Sequence, residues 1–155
     1  MKRPKHSTHT LAGAATTELI LETFRLNGLL LEAGDRLVAD MGLTSARWQV
    51  LGAIALAPVP LPVAHLARNM GLSRQAVQRL ANEMERDGLV RFAPNPHHER
   101  AKLVQLTTAG ERAFAAAGAR QVPWANALAK GLSAARIEDA RALLRALRER
   151  LVVAP

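Results

Sequence analysis

The chain contains no cysteine and no tyrosine, and only three phenylalanines and two tryptophans among its 155 residues. Without cysteine it can form neither disulfides nor thiolate zinc sites, and it cannot sense oxidants through a thiol. Because aromatic residues are so few, the core must be built from leucine, alanine and valine, and the leucine and alanine favour helices. Hydrophobic residues make up 49% of the chain, which is enough for a core of ordinary size.

Long uninterrupted apolar segments are also missing. The most apolar stretch, Val50 to Ala67, is broken by three prolines, so we do not expect it to span a membrane. The basic first ten residues are not followed by an apolar stretch of signal-peptide length. We therefore expect a soluble, cytoplasmic protein with no membrane partner.

Basic residues outnumber acidic ones by 21 to 13, which gives a net charge of +8. Such an excess attracts polyanions, and nucleic acid is the commonest polyanionic partner of a compact domain, with a membrane surface as the alternative. The sequence shows no serine and histidine constellation suited to catalysis and no glycine-rich phosphate loop. We therefore expect neither an enzyme nor a bound cofactor.

Hydrophobic periodicity and capping residues predict a mainly helical chain with one β-hairpin. The predicted helices run from Thr16 to about Asp40, Ser45 to Ala57, Val63 to Asn69, Ser73 (as the N-cap) to Asp87, Thr107 onwards for about twenty residues, and Ser133 through Leu151. The prolines before Val63 force an extended crossing, and Pro123 is expected to interrupt or kink the fifth helix. Two short strands, Leu89 to Ala93 and Lys102 to Leu106, flank a polar loop and form the hairpin.

The fourth predicted helix has two distinct faces. Val77, Leu80, Ala81 and Met84 recur at helical spacing and predict a buried face. The other face displays Arg74, Gln75, Gln78, Arg79 and Asn82. Arginine pairs with guanine, and glutamine or asparagine with adenine, in the major groove. A solvated helix prefers acidic residues first, whereas here Arg74 and Arg79 come first. The acidic residues follow in the second half, together with Arg86: they are Glu83, Glu85 and Asp87. A partner anion explains this order better.

The hairpin loop carries His97, His98 and Arg100. A loop that follows a DNA-reading helix can reach an adjacent minor groove, where arginine gains from the negative potential. An ordinary exposed turn is the alternative interpretation of the loop alone. We therefore predict double-stranded DNA as the partner, with Ser73, Arg74, Gln75, Gln78, Arg79, His98 and Arg100 as the DNA-binding residues.

The segment LARNMGLSRQAVQRLANEMERDGLVRFAPNPHHERAKLVQLTTAG, within Leu61 to Gly110, resembles the winged helix-turn-helix of the MarR family of bacterial regulators. The resemblance extends through LTSARWQVLGAI before it and WANALAKGLSAARIEDARALLRALRERL after it. One position departs from the family: many members have aspartate two residues before the wing arginine, where this chain has His98. The wing arginine is therefore expected to be held differently, or in a pH-dependent way.

The resemblance implies a homodimer whose first helix and last two helices interlock, with two DNA-reading lobes. The wide apolar band of Thr16 to Asp40 and the leucines between 143 and 151 fit this independently, because a monomer cannot cover both. We predict a flexible basic arm at 1–15, an N-terminal dimerisation helix at 16–42, a winged helix-turn-helix domain at 43–110 and C-terminal dimerisation helices at 111–155. A dimer of this kind reads a palindrome, and we expect a repressor.

Two further kinds of site come into question, a metal site and an effector pocket. The five histidines have no carboxylate or cysteine at matching spacing, so we expect no metal site. Trp48 is expected to pack in the core, but family members bind small aromatic effectors between the dimer helices and the DNA-reading lobe. By that resemblance Trp48 and Phe24 would line an effector pocket.

Two other functions remain open. A sequence-indifferent architectural protein would bind a palindrome and random duplex about equally, whereas a regulator would prefer its site by at least about a thousandfold. The dimerisation module of a larger enzyme, such as a methyltransferase, would need a Rossmann-type segment downstream, which this sequence does not contain.

Overall fold

The computed structural model describes residues 8–153, which fold mainly into helices with one small antiparallel sheet. In chain order the elements are α1 (Leu11–Val38), a 3₁₀ turn (Ala39–Met41), α2 (Ser45–Ala55), β1 (Leu61–Pro62), α3 (Val63–Met70), α4 (Arg74–Arg86), β2 (Val90–Ala93), β3 (Leu103–Leu106), α5 (Thr108–Leu128) and α6 (Ala134–Val153). The predicted fold class, mainly helical with a winged helix-turn-helix and a small hairpin, is confirmed.

The chain divides into two compact units, and the boundary between Ala117 and Gly118 lies within α5. In the first unit one hydrophobic core receives buried side chains from helices α1 to α5 and from β2 and β3. They are Val38, Leu43, Val50, Leu51, Val63, Leu66, Ala67, Val77, Leu80, Ala81, Met84, Val90, Val104 and Ala117. As the composition predicted, these are almost all leucine, valine and alanine.

The sheet contains a strand that the sequence did not predict. β3 lies in the middle, with β1 and β2 antiparallel on either side, so that Val104 is opposite both Leu61 and Phe92. The proline-rich crossing bends at Pro58 and Val59, and only its last two residues, Leu61–Pro62, are extended as a strand and form β1. Pro62 is tolerated there because β1 is an edge strand.

Two elements differ from their predicted limits. α1 begins at Leu11, where the Thr10 hydroxyl oxygen accepts the Gly13 N–H at 3.0 Å. The arm predicted for 1–15 is therefore helical from residue 11, and its residues 1–7 lie outside the described residues. α5 continues through Pro123, so the helix is not interrupted there, whereas a kink at Pro123 stays a prediction. The carbonyl that Pro123 leaves without a donor is that of Ala119, an exposed residue, so water can satisfy it.

Helices α1 and α2 approach each other closely. A Cβ on Gly34 of α1 would lie only 2.6 Å from the Ser45 hydroxyl oxygen, so the contact requires glycine. The neighbouring Asp35 carboxylate accepts the Ser45 N–H at 2.6 Å and so satisfies a free donor at the start of α2. This contact fixes α2, against which α3 and α4 pack.

Candidate nucleic-acid interface

Helices α3 and α4 are joined by a tight turn. Gly71 has a φ of +67°, a left-handed conformation that glycine adopts without a steric penalty. Its N–H donates to the Arg68 carbonyl at 3.2 Å, and the Leu72 N–H donates to the Ala67 carbonyl at 3.0 Å. These two bonds end α3 and turn the chain directly into α4. The result is a helix-turn-helix.

The orientation of α4 is fixed by its cap and its buried face. The Ser73 hydroxyl oxygen accepts the Ala76 N–H at 3.2 Å, which confirms the predicted N-cap. The four side chains predicted for the buried face are all buried: Val77, Leu80, Ala81 and Met84. The opposite side of α4 therefore points away from the core.

Polar side chains cover this opposite side, which we call the outer face of α4. They line a shallow depression of about 700 Å³ and comprise Arg74, Gln75, Gln78, Arg79, Asn82 and Arg86. Guanidinium and amide groups of this kind suit base edges and phosphates. Sequence reasoning named all of these residues on the face except Arg86, which it had placed among the acidic residues of the second half.

Two pairs of side chains interact along the outer face. The Gln78 Nε2 donates to Asn82 Oδ1 at 2.9 Å, and the Arg79 Nη1 donates to Glu83 Oε1 at 3.1 Å. Exposed pairs at this helical spacing contribute only about 0.3–0.5 kcal/mol, so a ligand can compete with them. Within residues 8–153, the Arg74 side chain makes no hydrogen bond or ion pair and is free to meet a partner.

The loop between β2 and β3, residues 94–102, is held by a side chain that the sequence did not single out. Asn95 Oδ1 accepts the His97 N–H at 3.0 Å, and Asn95 Nδ2 donates to the Ala101 carbonyl at 2.9 Å. His98 and Arg100 are exposed, and their side chains form no bond with each other. Asn95 thus shapes the loop, and the different or pH-dependent anchoring of Arg100 stays a prediction.

A groove of about 1230 Å³ separates the outer face of α4 from this loop. It brings together Arg74, Gln78, His98 and Arg100, which the sequence predicted as one site although they lie up to 26 positions apart. The groove is also lined by four polar side chains that sequence reasoning did not place at this site, namely His65, Glu85, Glu99 and Lys102. Sequence spacing presents His65 only as one of five histidines that could ligate a metal, because only the fold places the start of α3 at the groove.

The two residues suggested for an effector pocket lie elsewhere. The Phe24 side chain on α1 is 70% exposed, and Trp48 on α2 is half-buried against the core. Neither residue lines the groove or the depression on α4. The core packing predicted for Trp48 is confirmed, whereas the effector pocket stays a prediction.

Comparison with known proteins identifies the family. The sequence model of the MarR family matches residues 41–101, which run from α2 through the helix-turn-helix to the loop after β2. The transcriptional regulator MosR of Mycobacterium tuberculosis, solved in complex with DNA, has a TM-score of 0.71 and 26% identity; the match covers 85% of this chain and 96% of that one. The chain belongs to the MarR family.

Two further relatives extend the comparison of this MarR-family chain. The uncharacterised protein Rv2011c of Mycobacterium tuberculosis is 36% identical over 136 residues, which cover 88% of this chain and 91% of that protein. CouR of Rhodococcus jostii, solved with p-coumaroyl-CoA bound, has a TM-score of 0.75 and 23% identity, covering 85% of this chain and 92% of that one. The similarity therefore includes the helices on both sides of the helix-turn-helix.

As a MarR-family winged-helix protein, the chain is a DNA-binding transcriptional regulator and not an enzyme. The loop between β2 and β3 is the wing.

Every helix in residues 8–153 is too short or too polar to cross a bilayer. The same residues contain no group of three or more histidines and carboxylates placed to hold a metal ion.

Proposed function

We propose that this MarR-family regulator is a homodimeric repressor that binds a palindromic operator and leaves it when a small aromatic effector binds. The observation that carries the proposal is the two-sided structure of α4, with a buried apolar face and an outer face of arginine and amide side chains. A helix fits the major groove of B-DNA, so this outer face would meet base edges there. Arg74, Gln75, Gln78 and Arg79 would supply the contacts.

The wing would contact the neighbouring minor groove. Arg100 is exposed at the loop and has no partner among the described residues, so its guanidinium is available to DNA. A narrow minor groove attracts arginine because the negative potential is concentrated there. His98, beside it on the groove, would approach the phosphates, and Ser73 would do so at the start of α4.

Exposed apolar side chains support the homodimer. On α1 these are Ile20, Leu21, Phe24, Leu26, Leu29, Leu30 and Leu31, and on α6 they are Ile137, Leu143, Leu144, Leu151 and Val152. Large apolar side chains that a helix leaves exposed mark a candidate interaction surface in a protein that must stay in solution. A second copy would cover it, and a two-fold dimer would present two outer faces to the two halves of a palindrome.

Release would require an effector that binds more tightly to the dimer at one separation of its two DNA-reading lobes than at another. An effector with equal affinity for both conformations would leave the equilibrium between them unchanged. The bound p-coumaroyl-CoA of the similar protein CouR supports an aromatic ligand class. Phe24 and Trp48 are proposed to line the effector cavity in the dimer. We expect this regulator to act in the cytoplasm.

Selection of bound sequences from a random duplex pool tests the proposal. The regulator is expected to enrich a palindrome with half-sites about one helical turn apart, and to bind it at least about a thousandfold more tightly than scrambled duplex. An architectural protein would enrich no sequence and would bind both duplexes alike, and that result would refute the proposed function. Repression is then tested by transcription from a promoter that overlaps the selected site.

A further inference from the structure

Arg79, on the outer face of α4, pairs with the Glu83 carboxylate beside that face, and among the described residues it is the one arginine of the face that forms an ion pair. The two side chains differ in freedom, because the Arg79 side chain is 69% exposed and that of Glu83 only 32%. The carboxylate is thus partly covered by its neighbours, whereas most of the guanidinium faces solvent. Glu83 limits the directions in which Arg79 can point.

The pair occupies only part of the guanidinium. Nη1 is the atom that donates to Glu83 Oε1, at 3.1 Å, and an arginine side chain has five N–H donors in all. The remaining donors can still form the two parallel bonds that guanine accepts through O6 and N7. A base contact and the ion pair are therefore compatible.

A contact between Arg79 and a phosphate is not compatible with the ion pair. With the outer face of α4 in a groove, base edges lie ahead of Arg79 and phosphates lie along the walls. Turning the guanidinium to a wall breaks the pair and leaves the Glu83 carboxylate close to the phosphates, which repel it. The pair alone is worth about twofold in an equilibrium constant, and this repulsion adds to it.

We propose that Glu83 is a specificity-determining residue, which keeps Arg79 directed at base edges and penalises its use on the DNA backbone. The inference rests on the proposed placement of the outer face of α4 in the major groove. Glu83 acts through Arg79, so it is a positioning residue. It raises the ratio of specific to non-specific affinity by weakening non-specific binding.

The test uses the full-length protein, the palindromic duplex selected by the wild type, and a scrambled duplex of the same length. We expect Glu83→Gln to bind the scrambled duplex about 3- to 10-fold more tightly and the palindrome less than about threefold more tightly. The slope of log affinity against log salt on scrambled duplex should steepen by about 0.9, because Arg79 gains a phosphate. The specificity ratio falls accordingly.

Two controls separate this role from a simple change of charge. Glu32→Gln removes the same charge from another arginine–glutamate pair at the same helical spacing, the one with Arg36 on α1, away from the outer face and the groove, and should alter both affinities by equal factors. In an Arg79→Ala background, Glu83→Gln should leave the specificity ratio unchanged. If Glu83→Gln keeps the ratio of the wild type, if Glu32→Gln lowers it equally, or if the effect persists without Arg79, the inference is wrong.

The experiment distinguishes a failure of this inference from a failure of the proposed function. A wild-type protein that binds palindrome and scrambled duplex equally contradicts the proposed function, and the inference with it. A wild type that discriminates, together with a Glu83→Gln variant that discriminates as well, contradicts the inference alone.

Discussion

Arg47, near the start of α2, forms an ion pair with Asp87, the residue that ends α4. The Arg47 side chain is only 15% exposed and also donates to the Gly42 carbonyl at 3.1 Å. One guanidinium thus joins the C-terminal end of the proposed DNA-reading helix to the turn between α1 and α2. The position of α4 depends on this polar link as well as on its apolar face.

Replacement of Arg47 by alanine should therefore destabilise the first unit. The loss of charged hydrogen bonds from a mostly buried side chain predicts a decrease of about 1.5–3 kcal/mol in the free energy of unfolding, measured by urea denaturation. Arg36→Ala is the control, because Arg36 pairs with Glu32 on an exposed helix surface and should cost less than about 0.5 kcal/mol. Equal losses in the two variants would contradict the assigned role of Arg47.

Gly110 on α5 has no room for a side chain. A Cβ there would overlap the Leu89 carbonyl group, whose carbon would be 3.0 Å away, and backbone atoms cannot move aside cheaply. Gly110→Ala should lower the free energy of unfolding by about 1–3 kcal/mol. Gly118→Ala, farther along α5 in open space, should instead raise it by up to about 1 kcal/mol. Similar shifts in melting temperature for both variants would count against this packing.

The apolar surface of α6 should hold the proposed dimer together. Leu144→Glu places a charge on that surface and should shift the protein from dimer to monomer at micromolar concentration, measured by sedimentation equilibrium. Leu56→Glu is the control, since Leu56 is also exposed but lies at the end of α2. A wild-type protein that is monomeric, or a Leu144→Glu variant that stays dimeric, would refute this interface.

Arg79 should contribute to sequence-specific binding. Arg79→Ala is expected to weaken binding to the selected palindrome by about 1–3 kcal/mol, measured by fluorescence anisotropy titration, because a bidentate base contact is lost. Arg112→Ala removes an exposed arginine on α5, outside the outer face and the groove, and should change the affinity far less. Unchanged affinity and specificity in Arg79→Ala would show that the outer face has been assigned wrongly.

Local features of the fold were predictable because their causes lie close together in the sequence. The buried set on α4 follows from spacings of three and four, and the N-cap at Ser73 follows from residue chemistry within one turn. The same holds for the left-handed conformation of Gly88, whose φ is +73°, just after the C-cap Asp87. The predicted start of α1, Thr16, was five residues too late. The signal for the true start is a single capping threonine, Thr10, which follows a polar and basic segment typical of a loose arm. Helix limits depend on such small local energies.

Features that join distant residues were not predictable from spacing. The pairing of β1 with β3 joins Leu61 to Val104, and the Arg47–Asp87 ion pair spans forty positions. The groove likewise recruits His65 from α3 and Lys102 from the wing. No periodic pattern encodes these contacts, because they arise only when the first unit packs around its core.

The most direct test of the account is photocrosslinking from the outer face of α4. A photoreactive amino acid in place of Gln75 should crosslink to bases at two positions of the selected palindrome about one helical turn apart, and much less to scrambled duplex. Crosslinks at symmetric base positions are the predicted result. A complex that forms on the palindrome with no base crosslink from position 75 would mean that this face points to solvent, and would contradict the proposed mode of DNA recognition.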